Sequence, residues 1–185
     1  MDMESSAEFR FDGGATWVNL LATKGRSFGP RPVERLPTTE AAARWLTQAG
    51  FAPTSEVTAA DLERIVELRE ALRDVAMALM AEQDPSPDSL GLLESVVSTR
   101  GPRVLPAALG DGEASVEAAL GAIAMQALVT LAGPDRALLK ECAEADCRWV
   151  FLDTSGRRHW CPSPSCASRG RVRAYRARRA TAPSE

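Results

Sequence analysis

The chain has 185 residues, an apolar fraction of 45% and a formal net charge of −3, which is enough for one domain with its own core and a small appendage. The longest apolar run, residues 118–132, is broken by Gly121 and Gln126 and is short for a membrane span. The acidic Met1–Ser5 start lacks the basic and apolar regions of a signal peptide, so a soluble cytoplasmic protein is expected. The charge is unevenly spread. Residues 154–184 hold eight arginines and no acid, whereas residues 1–153 hold 14 basic and 24 acidic side chains, a net of −10. That polarity describes an acidic body with one polyanion-seeking end.

In chain order, the first ten residues carry no strong structural signal. Residues 15–22 (ATWVNLLA) form a short buried segment after the Gly13-Gly14 turn, read as a helix. Residues 24–37 are rich in Gly and Pro and are expected to be a loop. Thr38 or Thr39 then caps a helix through Trp45 and Leu46 that stops at Gly50. The strongest helical signal starts at Thr58, with Asp61 as a capping-box partner, and runs to about Glu82. Leu62, Ile65, Val66, Leu68, Leu72, Val75, Leu79 and Met80 make its apolar arc. Arg69 falls inside that arc, either pairing with a core carboxylate or snorkelling to water, or else anchoring an anionic ligand; the first reading is the commoner outcome.

Asp84-Pro85-Ser86-Pro87 breaks the chain before a short helix over residues 88–97. Residues 100–112 are expected to form a hairpin or an irregular crossover. A nearly all-apolar, and therefore buried, helix runs from Ser115 to Leu131 and ends at Gly133-Pro134. Residues 136–141 are read as a strand.

All four cysteines follow, as Cys142, Cys147, Cys161 and Cys166, in two Cys-x4-Cys pairs. Four thiolates converging on one ion is the arrangement of structural zinc, and clustered cysteines in a reducing cytosol are more often ligands than disulfides. Two disulfides or free core thiols are the competing arrangements. Between the pairs, residues 149–153 alternate as a strand, Asp153–Gly156 reads as a turn, and Arg157–Trp160 is expected to return as the partner strand. His159, the only histidine, is redundant as a ligand beside four cysteines and is expected to be exposed. After Cys166 a helix through Arg179 places Arg169, Arg173 and Arg176 on one side and Arg171 with Arg178 opposite, with Val172 and Tyr175 expected as an apolar foot on the zinc module. Arg157, Arg158, Arg169, Arg171, Arg173, Arg176, Arg178 and Arg179 are the expected nucleic-acid contacts; a solvated basic tail is the alternative.

The residues CAEADCRWVFLDTSGRRHWC and CASRGRVRAYRARR resemble the CGNR zinc-finger family, and AAARWLTQAG and DLERIVELREALR resemble segments of its helical ABATE domain. The resemblance implies a bacterial, stress-related transcription regulator. In it residues 1–134 form the helical domain, and residues 135–185 form a treble-clef-like finger with a β-hairpin and a basic helix. It also implies one structural zinc on Cys142, Cys147, Cys161 and Cys166, double-stranded DNA as partner, and an effector, small molecule or protein, at the helical domain. The family signature departs here to Cys166-Ala167-Ser168-Arg169, losing the glycine's conformational freedom and the asparagine's amide. An RNA- or protein-interaction adaptor is the alternative function. An enzyme is not expected, because a closed four-cysteine site has no open position and no histidine is paired with an acid.

Overall fold

The computed structural model describes residues 9–98 and 113–180. Helix α1 (Thr16–Leu21) is followed by a two-residue antiparallel ladder, β1 (Lys24–Gly25) with β2 (Val33–Glu34). Helix α2 (Thr39–Gln48) starts at Thr38, whose side chain accepts from the Ala41 N–H, and ends before Gly50 at φ +91°. Strand β3 (Ala52–Pro53) leads to α3 (Ala59–Met80). There Thr58 Oγ accepts from the Asp61 N–H while the Asp61 carboxylate accepts from the Thr58 N–H, a reciprocal cap. Helix α4 (Pro87–Ser98) begins with proline in the first turn and Ser86 Oγ accepting from the Ser89 N–H. Strand β4 (Glu113–Ala114) pairs parallel with β3, and Ser115 caps α5 (Val116–Ala132). A 3-10 turn (Pro134–Leu138) precedes β5 (Leu139–Glu141), β6 (Val150–Leu152) and the terminal helix α6 (Pro164–Ala180).

Helix α3 packs against α1, α4 and α5, and α1 also packs against α5. Trp17, Trp45, Leu68, Leu72 and Ile123 are essentially removed from water. Each such side chain contributes on the order of 1.5–3 kcal/mol of burial. The buried Trp17 Nε1 donates to Thr130 Oγ1 at 3.3 Å, which spares that indole a desolvation penalty.

Arg69 resolves as a structural arginine. It is 1% exposed, grips both carboxylate oxygens of Glu34 (2.8 and 2.7 Å), and donates to Glu70 (2.8 Å) and Thr23 (3.1 Å). Arg73, one turn on, donates to the Leu21 carbonyl at 2.9 Å and to Glu70. Arg69 fastens the β1–β2 ladder to α3 and Arg73 fastens the end of α1 to it, so the segment expected as a plain loop is held at a fixed place.

The C-terminal segment docks on α1 and on the residues before it. Leu152 N–H donates to the Gly13 carbonyl (2.9 Å), and Trp149 Nε1 donates to the Val18 carbonyl (3.0 Å). Gly14, at φ +93°, lies so close to Leu152 that an added Cβ would stand 2.8 Å from its Cβ, which explains a glycine at this crossing. The buried residues of both segments form one continuous cluster that includes all four cysteines.

Three local expectations are corrected. Arg157–Trp160 is not a strand: β6 pairs with β5, so the hairpin closes around the first cysteine pair instead of lying between the pairs. The Asp153 carboxylate accepts from Ser155 N–H (3.0 Å), Ser155 Oγ (2.6 Å) and Arg158 N–H (2.8 Å), and this folds the return segment into a turn. The 3-10 turn takes the first part of the expected 136–141 strand. Val172 and Tyr175 are 44% and 54% exposed and do not form a foot. The expected crossover at residues 100–112 lies outside the described residues.

Candidate metal centre and nucleic-acid interface

The β5–β6 hairpin brings Cys142 and Cys147 together at its turn, where the N–H groups of Cys147 and Arg148 both donate to the Glu144 carbonyl, at 2.8 and 3.0 Å. Arg148 takes φ +45° to complete the turn. Ala143 N–H donates to the His159 carbonyl at 2.9 Å, drawing the second segment onto the first. Cys161 ends that segment, and Cys166 lies in the first turn of α6. The four thiols are 1%, 9%, 3% and 3% exposed in chain order, and their sulfurs lie within 4.8 Å of one another.

The donor set fits zinc. Tetrahedral coordination at roughly 2.3 Å per Zn–S bond places sulfurs about 3.8 Å apart, inside the 4.8 Å that bounds their separation here. All four are free thiols that crowd one another's protons. Hydrogen bonding to Cys142, then to Cys147, brings Cys166 down to about 7, while the bond to Cys142 pushes Cys147 above the ordinary thiol range. Four sulfurs this close cannot all ionise without a cation among them. The arrangement is thus four cysteines that could hold one zinc ion. Two guanidinium groups approach the sulfurs from outside: Arg10 Nη1 to Cys161 Sγ at 3.7 Å and Arg169 Nη2 to Cys166 Sγ at 3.4 Å. Such outer contacts offset thiolate charge and fix ligand orientation.

The first turns of α6 pack against the knuckle and the Trp160 segment. Gly170 lies directly against the Trp160 indole, where an added Cβ would collide with Trp160 Nε1. Glu144, 1% exposed, faces Arg173 Nη2 at 3.0 Å and Arg169 Nε at 3.6 Å, ion pairs without a directed hydrogen bond to either carboxylate oxygen. Arg173 also reaches Asp146 at 3.3 Å.

The expected arginine contacts therefore divide. Arg169 and Arg173 are engaged by the knuckle acids. Arg157 and Arg158 lie exposed on the Asp153 turn, and Arg171, Arg176, Arg178 and Arg179 lie exposed along α6. Arg179 caps the Tyr175 ring at 5.8 Å and donates to its hydroxyl at 3.3 Å. His159 is exposed beside Trp160. Sequence reasoning missed Glu144, Asp146 and Arg10. An acid inside a Cys-x4-Cys loop reads as solvated, and Arg10 stands 151 residues from its sulfur partner.

The comparisons with known proteins agree with this geometry. A family model described as ABATE, "Putative stress-induced transcription regulator", matches residues 14–134, and the CGNR zinc-finger model matches residues 139–179. No curated protein matches the chain. No described helix is long and apolar enough to cross a membrane.

Proposed function

The chain belongs to the ABATE family and carries a CGNR zinc finger, and from that premise we propose that it is a cytoplasmic, DNA-binding transcription regulator. In this reading residues 1–134 form the helical sensor or partner-binding domain and residues 135–185 the finger. Cys142, Cys147, Cys161 and Cys166 hold one structural Zn2+, which ties the finger's segments together beside the core they share with the helical domain. With four protein ligands the ion has no open coordination position, so its role is to fix the finger and not to catalyse.

The observation that carries the proposal is the projection of α6. The helix is anchored through Cys166, Gly170 and Glu144, then extends with Arg171, Arg176, Arg178 and Arg179 exposed and no acid among its residues. A rigidly based cationic helix is a form that enters the major groove or straddles phosphates. The exposed Val172 and Tyr175 suit apolar contact with base edges. Arg157 and Arg158, on the turn preceding Cys161, extend the cationic surface. Arg169 and Arg173 act in this reading by aiming the helix.

A second reading, an RNA or protein adaptor, draws on the shallow groove of about 360 Å³ lined by Arg157, His159 and Trp160, where a single-stranded base could stack. Titrating a random-sequence duplex and a single-stranded RNA of equal length against salt separates the two. The proposal expects tighter duplex binding with a steep salt slope; preference for the single strand contradicts it.

A further inference from the structure

A cavity of about 140 Å³ lies between the β1–β2 ladder and the cysteine cluster, several times the roughly 10–15 Å³ that admits one water. Five cations line it: Arg10, Lys24, Arg26, Arg35 and Arg169. No carboxylate is among its lining residues. The acids that partner four of these cations are Asp12 with Arg10 (2.8 Å), Glu70 with Lys24 (3.5 Å), Asp146 with Arg26 (3.7 Å) and Glu144 with Arg169 (3.6 Å). All four acids stand outside the cavity wall.

Arg35 differs from the rest. Among the described residues it has no ion-pair partner, and the one hydrogen bond of its guanidinium is Nη1 to the Ala22 carbonyl at 3.1 Å. The neighbouring carboxylate, Glu34, is committed to Arg69. The Nε atoms of Arg35, Arg26 and Arg169 are buried without a hydrogen-bond partner, and a buried charged donor without an acceptor is costly. Burial, and next the adjacent Arg10, push the Arg35 guanidinium below its ordinary value, against the opposing pull of Cys147 and Glu34. Arg26 is held at φ +51°, a left-handed conformation that a non-glycine residue adopts at some cost.

Direct bonding to sulfur accounts for only part of this set. Arg10 and Arg169 bond to sulfur, but Lys24, Arg26 and Arg35 make no such bond among the described residues. The rest of the wall mixes apolar surface from Trp149, Val33 and Ala22 with the hydroxyls of Ser163 and Ser165 and the sulfurs of Cys147 and Cys166. A terminal oxyanion with a short apolar body matches a cationic head site beside an indole. A diester phosphate of a nucleic-acid backbone, with a sugar on each side, does not fit so small a volume.

We propose that this cavity binds a small oxyanion ligand, a compound ending in a phosphate or carboxylate head, gripped by Arg35 together with Arg26 and Lys24. The walls come from both matched segments: Lys24, Arg26 and Arg35 from the helical part, Trp149, Cys166 and Arg169 from the finger. An occupant therefore bridges the two, and gives the helical domain a route to the base of the DNA-facing helix. The site goes beyond the DNA reading and stands whether or not that reading does, because its test contains no nucleic acid.

The test is calorimetric titration of the zinc-loaded full chain with inorganic phosphate, phenyl phosphate and benzoate, at constant ionic strength in chloride buffer. Saturable binding of a phosphate probe assigns a phosphate head, and saturable binding of benzoate alone assigns a carboxylate head. In either case Arg35→Gln is expected to weaken binding by roughly tenfold or more, while Arg171→Gln on the outer face of α6 leaves it unchanged. Zinc stoichiometry checks that each variant is folded. Should Arg35→Gln lose zinc, Lys24→Gln takes its place, with the same direction of effect. Absence of saturable binding by all three probes overturns the proposal, as does equal weakening by Arg171→Gln.

Discussion

Glu144 Oε1 lies 3.0 Å from Arg173 Nη2, joining the first cysteine knuckle to the third turn of the terminal helix. The glutamate side chain is fully buried and Arg173 is 50% exposed, so the pair is asymmetric. Removing the arginine leaves a buried charge with less compensation, at a cost of roughly 2–4 kcal/mol. Arg173→Ala is therefore expected to weaken zinc retention under competition with a chelator. Glu144→Gln in the same background should restore much of the loss, and independent, additive effects of the two substitutions would show that the pair does not act as a unit.

If Arg173 is a positioning residue, its loss should leave the salt slope of duplex binding nearly unchanged once the finger is metal-loaded. Replacing Arg171 and Arg176, which are exposed on α6, should instead reduce the slope by roughly two, about one counterion for each phosphate that is no longer neutralised. A slope that responds to Arg173 and not to the outer pair would move the interface to the knuckle side of the helix.

The continuous core makes zinc removal a global event. Trp149 is bonded to the Val18 carbonyl and Leu152 to that of Gly13, so loosening the finger exposes α1 as well. Chelation, or Cys161→Ser, is expected to lower the melting temperature of the whole chain in one transition. Two separate calorimetric transitions, with the upper one unmoved by chelator, would instead describe independent domains.

Acid should weaken the anchoring of the β1–β2 ladder. Burial alone would raise the Glu34 carboxyl, but hydrogen bonds from Arg69 and from the Leu36 N–H hold it below its ordinary value. Glu70 is likewise raised by burial and lowered further by Arg73 and Arg69. Groups depressed on folding stabilise the native state above their unfolded values and lose that contribution as pH falls through the folded ones. Stability should thus be flat near neutrality and decline below about pH 4.5, the unperturbed value. Glu34→Gln should flatten the acid limb at a cost of about 2 kcal/mol near pH 7; an unchanged limb would place the acid sensitivity elsewhere.

Much of this was readable from local signals. Thr58 with Asp61, Thr38 and Ser115 cap helices through interactions within three residues, and Gly50 stops one through its own backbone freedom. The four cysteines announced their convergence because nothing else in the chain competes with them. The Asp153–Gly156 turn signal implies a return strand at Arg157–Trp160, whereas the Asp153 carboxylate closes a turn there and β6 pairs with β5 instead. A helical projection gave the Val172–Tyr175 face but could not say whether anything covers it. The basic cavity was illegible for a different reason: Arg10, Arg35 and Arg169 meet only after the ladder docks on α3 and the finger docks on α1. No sequence spacing records that meeting.

Selection from a random duplex library by the zinc-loaded chain, beside the Cys161→Ser variant, tests the central claim most directly. A recurrent motif enriched by the loaded protein and lost with the variant is the expected result. Pools that show no motif, or the same enrichment with and without the intact thiol cluster, would contradict a regulator that reads DNA through this finger.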